Sequence, residues 1–357
     1  MAVLGIDLGY GFTKGVVTGS EEKFLCQSLI GSSLERVLSG GLFGTNHPDD
    51  IQVDIERGGT SDSYFIGELA RRESTDVTYT MDENKIDHPL TQVLLCAASA
   101  VLWPGKDAGP VHLVTGLPMS HYKTQKAKLE ENLRKLDAKV RIPGKNTGWV
   151  PVKFDRVTVF MQGYGAAYAA VLDENGKPRD KEVLQSGGLV VVIESGHKTT
   201  DVVTFETKPK FRPVDHLSFS LNLGGDNLAQ TMLRVFQEKA GAQCPASVQD
   251  QWTYEGQLWY DGKEVNAKRE LDQARERLGQ TIMDRIRARF GDNAGRVSTV
   301  FLAGRNAPLV EQPCKSTWNN VRVVDNPQFA NAEGYRIVGE MLERKATARS
   351  QDKIRIA

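Results

Sequence analysis

The chain of 357 residues is 40% hydrophobic, enough to build the cores of two domains. Its 45 Lys and Arg residues balance 45 Asp and Glu, which argues against a broad basic face for nucleic acid. Four cysteines stand far apart, six histidines fall in no metal-ligand spacing, and no apolar run approaches the ~18–20 residues of a membrane span. These features argue against a disulfide scaffold, a metal bound by nitrogen or sulfur, and a membrane-embedded protein. Met1 leads straight into an apolar run, so no signal peptide is read and a reducing cytoplasm is expected.

The first stretch, Ala2 to Val17, reads as strand, tight turn, strand. An apolar run ends in Asp7, Gly9 and Gly11 follow two apart, and Lys14 stands three residues beyond. Such a turn suits a polyphosphate. Glycines let backbone N–H groups approach phosphate oxygens, Lys14 is a point charge for them, and Asp7 could hold the water shell of a Mg²⁺. The same letters suit an ordinary hairpin. The pattern is no dinucleotide fingerprint, because Lys14 stands where a third glycine is needed. The Gly-Lys pairs at Gly105, Gly144, Gly176 and Gly262 are never followed by Ser or Thr, so no P-loop is present.

Residues 19–62 are polar and Gly-rich, with Gly40-Gly41 and Asn46-His47-Pro48, and hold a strand near Gln52–Ile55. Tyr64–Ala70 turns from strand into helix. Pro89 to Trp103 is apolar at helical spacing and predicts a core helix. Val111–Thr115 is a buried strand entering Gly116-Leu117-Pro118, which reads equally as a ligand-facing end or a plain turn. Gln125–Leu136 predicts an amphipathic helix. Strands Val150–Phe154 and Val157–Phe160 follow, then a small-residue helix opening at Gln162-Gly163. Gln162 reads either as an exposed first-turn residue or as a polar group reaching a cleft. Residues 173–187 form a polar linker.

Leu189 to Val203 repeats the opening grammar: a β-branched run ends in Glu194, a turn holds Gly196, and another β-rich run begins. Two similar halves are expected, each aiming an acid-tipped hairpin at one shared ligand. Gly224-Gly225-Asp226 opens a helix and reads as an anion or ribose neighbour or as a simple N-cap. Residues 247–266, with Trp252, Tyr254, Trp259 and Tyr260, read as a surface excursion. A long helix covers Ala267–Phe290, a strand runs from Arg296 into Ala303-Gly304-Arg305-Asn306, and Val321–Val324 is another strand. A final small-residue helix follows Asn331, and residues 344–357 read as a frayed polar tail.

Five of these pieces occur in order: Asp7-Leu8-Gly9-Tyr10-Gly11-Phe12-Thr13-Lys14, the Gln162-Gly163 helix, Glu194-Ser195-Gly196 with Thr199-Thr200-Asp201, the Ala303-Gly304 turn, and Asn331-Ala332-Glu333-Gly334-Tyr335. Together they resemble the five-motif signature of the superfamily joining actin, the heat-shock chaperone ATPases and the sugar kinases. Tyr64-Phe65-Ile66-Gly67-Glu68, Thr115-Gly116-Leu117-Pro118 and Gln328-Phe329-Ala330-Asn331-Ala332 are most similar to the bacterial plasmid-segregation actins of the ParM/StbA group. The resemblance covers nearly the whole chain, and five weak motifs in order are specific.

The resemblance implies an α/β protein of two duplicated RNase H-like, actin-like domains around a central nucleotide cleft. Domain I would span 1–172 with helix 330–343 packing back, domain II 173–329, and a polar tail 344–357. Gly9, Tyr10, Gly11, Phe12, Thr13 and Lys14 would form the first phosphate loop, and Gly196, His197, Lys198 and Thr199 the second. Asp7 and Glu194 would hold Mg²⁺ through water, with Asp201 the other second-loop acid. Gln162 would orient the attacking water. Gly224, Gly225 and Asp226 would lie near the ribose, and Gly304, Arg305 and Asn306 near the adenine. Two departures stand out: Glu194 replaces the usual Asp, and Ala303 replaces the first glycine of the adenosine turn, so GTP stays open beside ATP.

The implied function is a cytoskeletal ATPase that polymerises with ATP and Mg²⁺ and moves plasmid DNA through a DNA-binding adaptor. The alternative is a sugar-kinase-like phosphotransferase. It would need a carboxylate base, for which Asp87 and Asp155 are the candidates.

Overall fold

A computed structural model describes residues 1–33, 50–79, 88–105, 109–145 and 148–356. The chain divides into two compact units, Met1–Arg179 with Asn331–Ala357, and Asp180–Ala330. The segments 40–41 and 46–48 and the candidate Asp87 lie outside the described residues.

The first unit is built on a five-stranded sheet ordered Arg156–Met161, Val111–Leu117, Ala2–Leu8, Phe12–Val17, Lys23–Gln27. The first three strands run parallel and the last three form an antiparallel meander. Ala2–Leu8 and Val111–Leu117 are buried along almost their whole length. Both faces of the sheet are therefore covered, which is why these strands are continuously apolar rather than alternating. Helix Pro89–Val101 buries Leu90, Val93, Leu94 and Ala97, and the side chain of His88 caps it by accepting from Leu90 N. The last helix packs close to the sheet and to helix Tyr164–Val171: a Cβ on Gly334 would fall 1.8 Å from the Gly165 carbonyl oxygen. Only glycine permits that approach. A second, all-antiparallel sheet in this unit runs Ile30–Ser32, Thr60–Ile66, Ile51–Arg57, Asp137–Arg141, Val150–Lys153.

The second unit repeats the first arrangement. Leu189–Ser195 pairs antiparallel with Thr200–Glu206, which pairs antiparallel with Phe219–Leu221, while Val297–Ala303 and Val321–Val323 extend the other side in parallel. The order and sense match the opening meander with its two parallel partners in the first unit. The duplication expected from two hairpins therefore extends to five strands of each sheet.

Three segments differ from their sequence readings. The polar stretch 173–187 contains a short helix, Lys181–Gln185, which Asp180 caps by accepting from Glu182 N and Val183 N. Residues 247–266 form no surface excursion. Helix Gln249–Glu255 and hairpin Gln257–Tyr260/Lys263–Asn266 enclose Trp252, which is 0% exposed and meets Phe236 edge to face at 5.0 Å. Aromatic residues spaced by polar ones hid an amphipathic core there. Finally, the last helix continues from Ala330 to Ile356, because Glu, Arg, Lys and Ala favour helix even without an apolar face.

Candidate functional site

In the first unit, the antiparallel register places Asp7 opposite Lys14. Asp7 is buried, and each of its carboxylate oxygens has a partner. Lys14 Nζ donates to Oδ2 at 3.0 Å, and Gln162 Nε2 donates to Oδ1 at 3.1 Å. Gln162 is thus no exposed first-turn residue; it sits at the end of strand Arg156–Met161, two strands away from Asp7 in the sheet. The turn itself is braced from below by Ser28. Ser28 Oγ donates to the Gly9 carbonyl at 2.7 Å and lies 3.1 Å from Thr13 Oγ1, while Ser28 N donates to Gly11 O at 2.9 Å. Nothing in the sequence marks Ser28, which the register of strand Lys23–Gln27 delivers.

The second unit gathers three turns around Glu194. Glu194 is buried and faces Asp201 across the hairpin. Asp201 accepts from Ser220 Oγ and from Thr199 Oγ1, so it holds the hairpin together. The Gly196 carbonyl accepts from Gly225 N at 3.1 Å and Asn306 Nδ2 at 2.7 Å, and the His197 carbonyl accepts from Asp226 N at 2.7 Å. These bonds join 196–199, 224–226 and 304–306 into one cluster. Gly224 is the N-cap of helix Gly225–Ala240, and Asn227, in its first turn, accepts from Gly224 N at 2.9 Å, so neither Asp226 nor Asn227 is the N-cap residue. Gly304 has φ 86° and lies so near Ser195 that a Cβ would meet its carbonyl oxygen at 2.2 Å. Ala303, in place of the usual glycine, is accommodated as the buried last residue of its strand.

Tyr254 was missed because its segment read as surface. Its hydroxyl lies 3.4 Å from Asn306 Oδ1, and the Arg305 guanidinium lies 4.0 Å from its ring centroid. Asp250 fixes that guanidinium with two contacts of 3.3 and 3.2 Å. Burial pushes the Tyr254 hydroxyl above its ordinary pKa of 10.0, so it remains a neutral donor. A flat cation clamped over an aromatic ring is a rigid plate on which a planar ligand can stack.

Asp155, a candidate kinase base, has another task. It accepts from Val111 N at 2.8 Å at the start of that strand. The parallel register pairs Val111 with Ala2, so Asp155 sits at the opposite end of the sheet from Asp7, about 16 Å along the strand at ~3.3 Å per residue. Among the described residues no group of three His, Cys, Asp or Glu side chains is placed to hold a metal ion, and no helix is long and apolar enough to cross a membrane.

Residues 5–165 match the family model described as the N-terminal domain of actin-like proteins, and residues 192–315 match that of the archaeal actin homologue MreB-like C-terminal domain. No curated protein matches the chain. Among solved structures, a non-polymerisable quadruple mutant of the pCBH ParM superposes with a TM-score of 0.82 at 27% identity, covering 95% of this chain and 99% of the other. A subunit of a 15-stranded ParM filament from Clostridium botulinum gives 0.84 at 26% identity, again over 95% and 99%. An archaeal actin homologue solved in complex with ADP gives 0.73 at 21% identity, covering 96% of this chain and 100% of its own.

Proposed function

The chain belongs to the actin-like family, on its ParM-like side, and on that footing we propose that it binds ATP with Mg²⁺, hydrolyses it and assembles head to tail into filaments. The observation that carries the reading is a repetition. Each unit carries a buried acid next to the last residue of the first strand of its hairpin, Asp7 in one and Glu194 in the other, beside a glycine turn.

The residues fit a metal-bound polyphosphate. A Cβ on Gly9 would stand 2.6 Å from the Phe12 carbonyl oxygen and 3.0 Å from Lys14 Nζ, so the glycine keeps the ammonium against the turn. The turn Gly9–Lys14 and, in its own unit, the turn Gly196–Thr199 would each offer backbone N–H groups to phosphate oxygens. Asp7 and Glu194 would accept from the water shell of Mg²⁺, which when bound neutralises charge at the phosphate oxygens. Arg305, held over Tyr254, offers a face to a purine base of either ATP or GTP.

Gln162 would orient the attacking water. Its amide N–H₂ donates to Asp7, so its carbonyl oxygen is the atom that would accept a hydrogen bond from that water and orient it. Lys14 and the turn N–H groups then take up charge developing on the phosphoryl oxygens. A head-to-tail contact between identical subunits that does not close on itself generates a filament, and a ParM filament is among the structural neighbours. The cargo in this reading is plasmid DNA, reached through a DNA-binding adaptor protein. Light scattering and electron microscopy with ATP and Mg²⁺, and with a non-hydrolysable analogue, test the proposal. Filaments in both, disassembling only with ATP, are expected; no assembly at high protein concentration overturns it. Phosphate release that requires an added sugar, with no assembly, would favour the kinase reading.

A further inference from the structure

We infer that Asn331 is a positioning residue for hydrolysis, acting through Gln162. The inference rests on the nucleotide reading given above. Helix Tyr164–Val171 starts directly after Gln162, and its own N-cap is Gly163, at φ 83°, which has no side chain to offer the first amides. Four N–H groups at a helix start lack partners within the helix, and buried ones must find them elsewhere. Asn331 supplies them from the far end of the chain. Its Oδ1 accepts from Gly163 N at 3.1 Å and from Ala166 N at 3.0 Å.

Asn331 itself is 4% exposed, and it stands in the first turn of the last helix as the first residue of the segment that returns to this unit. Asparagine favours helix weakly, so a buried one in a first helical turn points to a use outside that helix. The turn it holds is fixed on three sides. Gln162 N donates to Leu117 O at 2.7 Å, Gln162 Nε2 donates to Asp7, and Asn331 anchors the residue that follows. Without Asn331, Gly163 is free to leave its left-handed conformation, and the Gln162 amide loses its aim. Misplacement by ~1 Å is enough to cost about a hundredfold in rate.

The test compares Asn331→Leu, which removes the acceptor at similar size, with Asn331→Asp, which keeps it and places its charge where a helix N-terminus favours it. Asn331→Leu should lower ATP hydrolysis at saturating nucleotide about ten- to hundredfold and leave affinity for a non-hydrolysable analogue unchanged. In the nucleotide-free protein it should speed hydrogen exchange at the Gly163 and Ala166 amides. Asn331→Asp should restore both. Added to Gln162→Ala, Asn331→Leu should slow hydrolysis no further. Asn331→Ser, whose hydroxyl is too short to serve both amides, replaces Asn331→Leu if that variant does not fold. Wild-type hydrolysis by a folded loss variant, or a further loss on top of Gln162→Ala, overturns the inference. If the wild-type protein neither binds nor hydrolyses ATP, the nucleotide reading fails instead. Exchange at the two amides still decides whether Asn331 holds the turn.

Discussion

Gln162 Nε2 donates to Asp7 Oδ1 at 3.1 Å, joining residues 155 apart in sequence at the ends of two strands of one sheet. The bond gives Gln162 a fixed orientation before any ligand arrives. Truncation by Gln162→Ala removes the acceptor for the attacking water and leaves Lys14 on Asp7. Hydrolysis at saturating ATP should fall about 10²-fold, the range for losing the orientation of a reacting group, with nucleotide affinity nearly intact. Phosphate release and equilibrium binding of a non-hydrolysable analogue measure the two separately. An equal loss in both would place Gln162 in binding rather than chemistry.

Lys14 has two tasks that double variants separate. It neutralises Asp7, whose side chain is 4% exposed, and it is the cation offered to phosphate. Lys14→Met alone should destabilise the first unit by about 3–5 kcal/mol, the usual cost of leaving a buried charge without its partner. Adding Asp7→Asn removes the stranded charge and should recover most of that stability. It should not recover ATP binding. Urea unfolding with and without nucleotide distinguishes the outcomes, and a double variant that binds ATP normally would remove Lys14 from the site.

The acid-tipped hairpins were legible in the sequence because strand periodicity, a terminal acid and a glycine turn all fall within fifteen residues. The same holds for the turns at Gly224 and Gly304, which are local signals. What stayed hidden was delivered by sheet register or by distant helices. Ser28 reaches Gly9 only because Gln27 pairs with Phe12. Tyr254 reaches Asn306 only because helix Gln249–Glu255 folds on a core that its alternating aromatic and polar residues disguised. Asn331 was visible as a motif letter, but its partners at Gly163 and Ala166 were not.

That disguised core gives a direct comparison of two tryptophans. Trp252 is 0% exposed, packs against Phe236 and donates its indole N–H to Met232 O at 2.6 Å. Trp252→Ala should cost about 3–5 kcal/mol, as expected for deleting a large buried aromatic. Trp259, on the neighbouring hairpin, is 72% exposed. Trp259→Ala should change monomer stability by no more than about 0.5 kcal/mol. Chemical denaturation of the two variants at low protein concentration checks both values. Equal effects would mean that residues 247–266 have no core of their own.

His112 gives the first unit a pH dependence. Its ring is fully buried, with Nε2 2.8 Å from Thr158 Oγ1 and Nδ1 2.8 Å from Glu343 Oε1. Burial lowers its pKa from the ordinary 6.5 to about 4, against the opposing pull of Glu343. Arg156, whose guanidinium faces the same Glu343 oxygen at 2.9 Å, pushes in the same direction as burial. Between those two values the unfolded chain takes up a proton that the folded chain refuses. The stability from a neutral His112 is therefore complete above pH 6.5 and drains away as the pH falls toward 4. Unfolding free energy measured across that window should drop with acid in the wild-type protein. His112→Gln, which carries no titrating ring, should flatten the slope there, and an unchanged slope would assign the acid sensitivity to other groups.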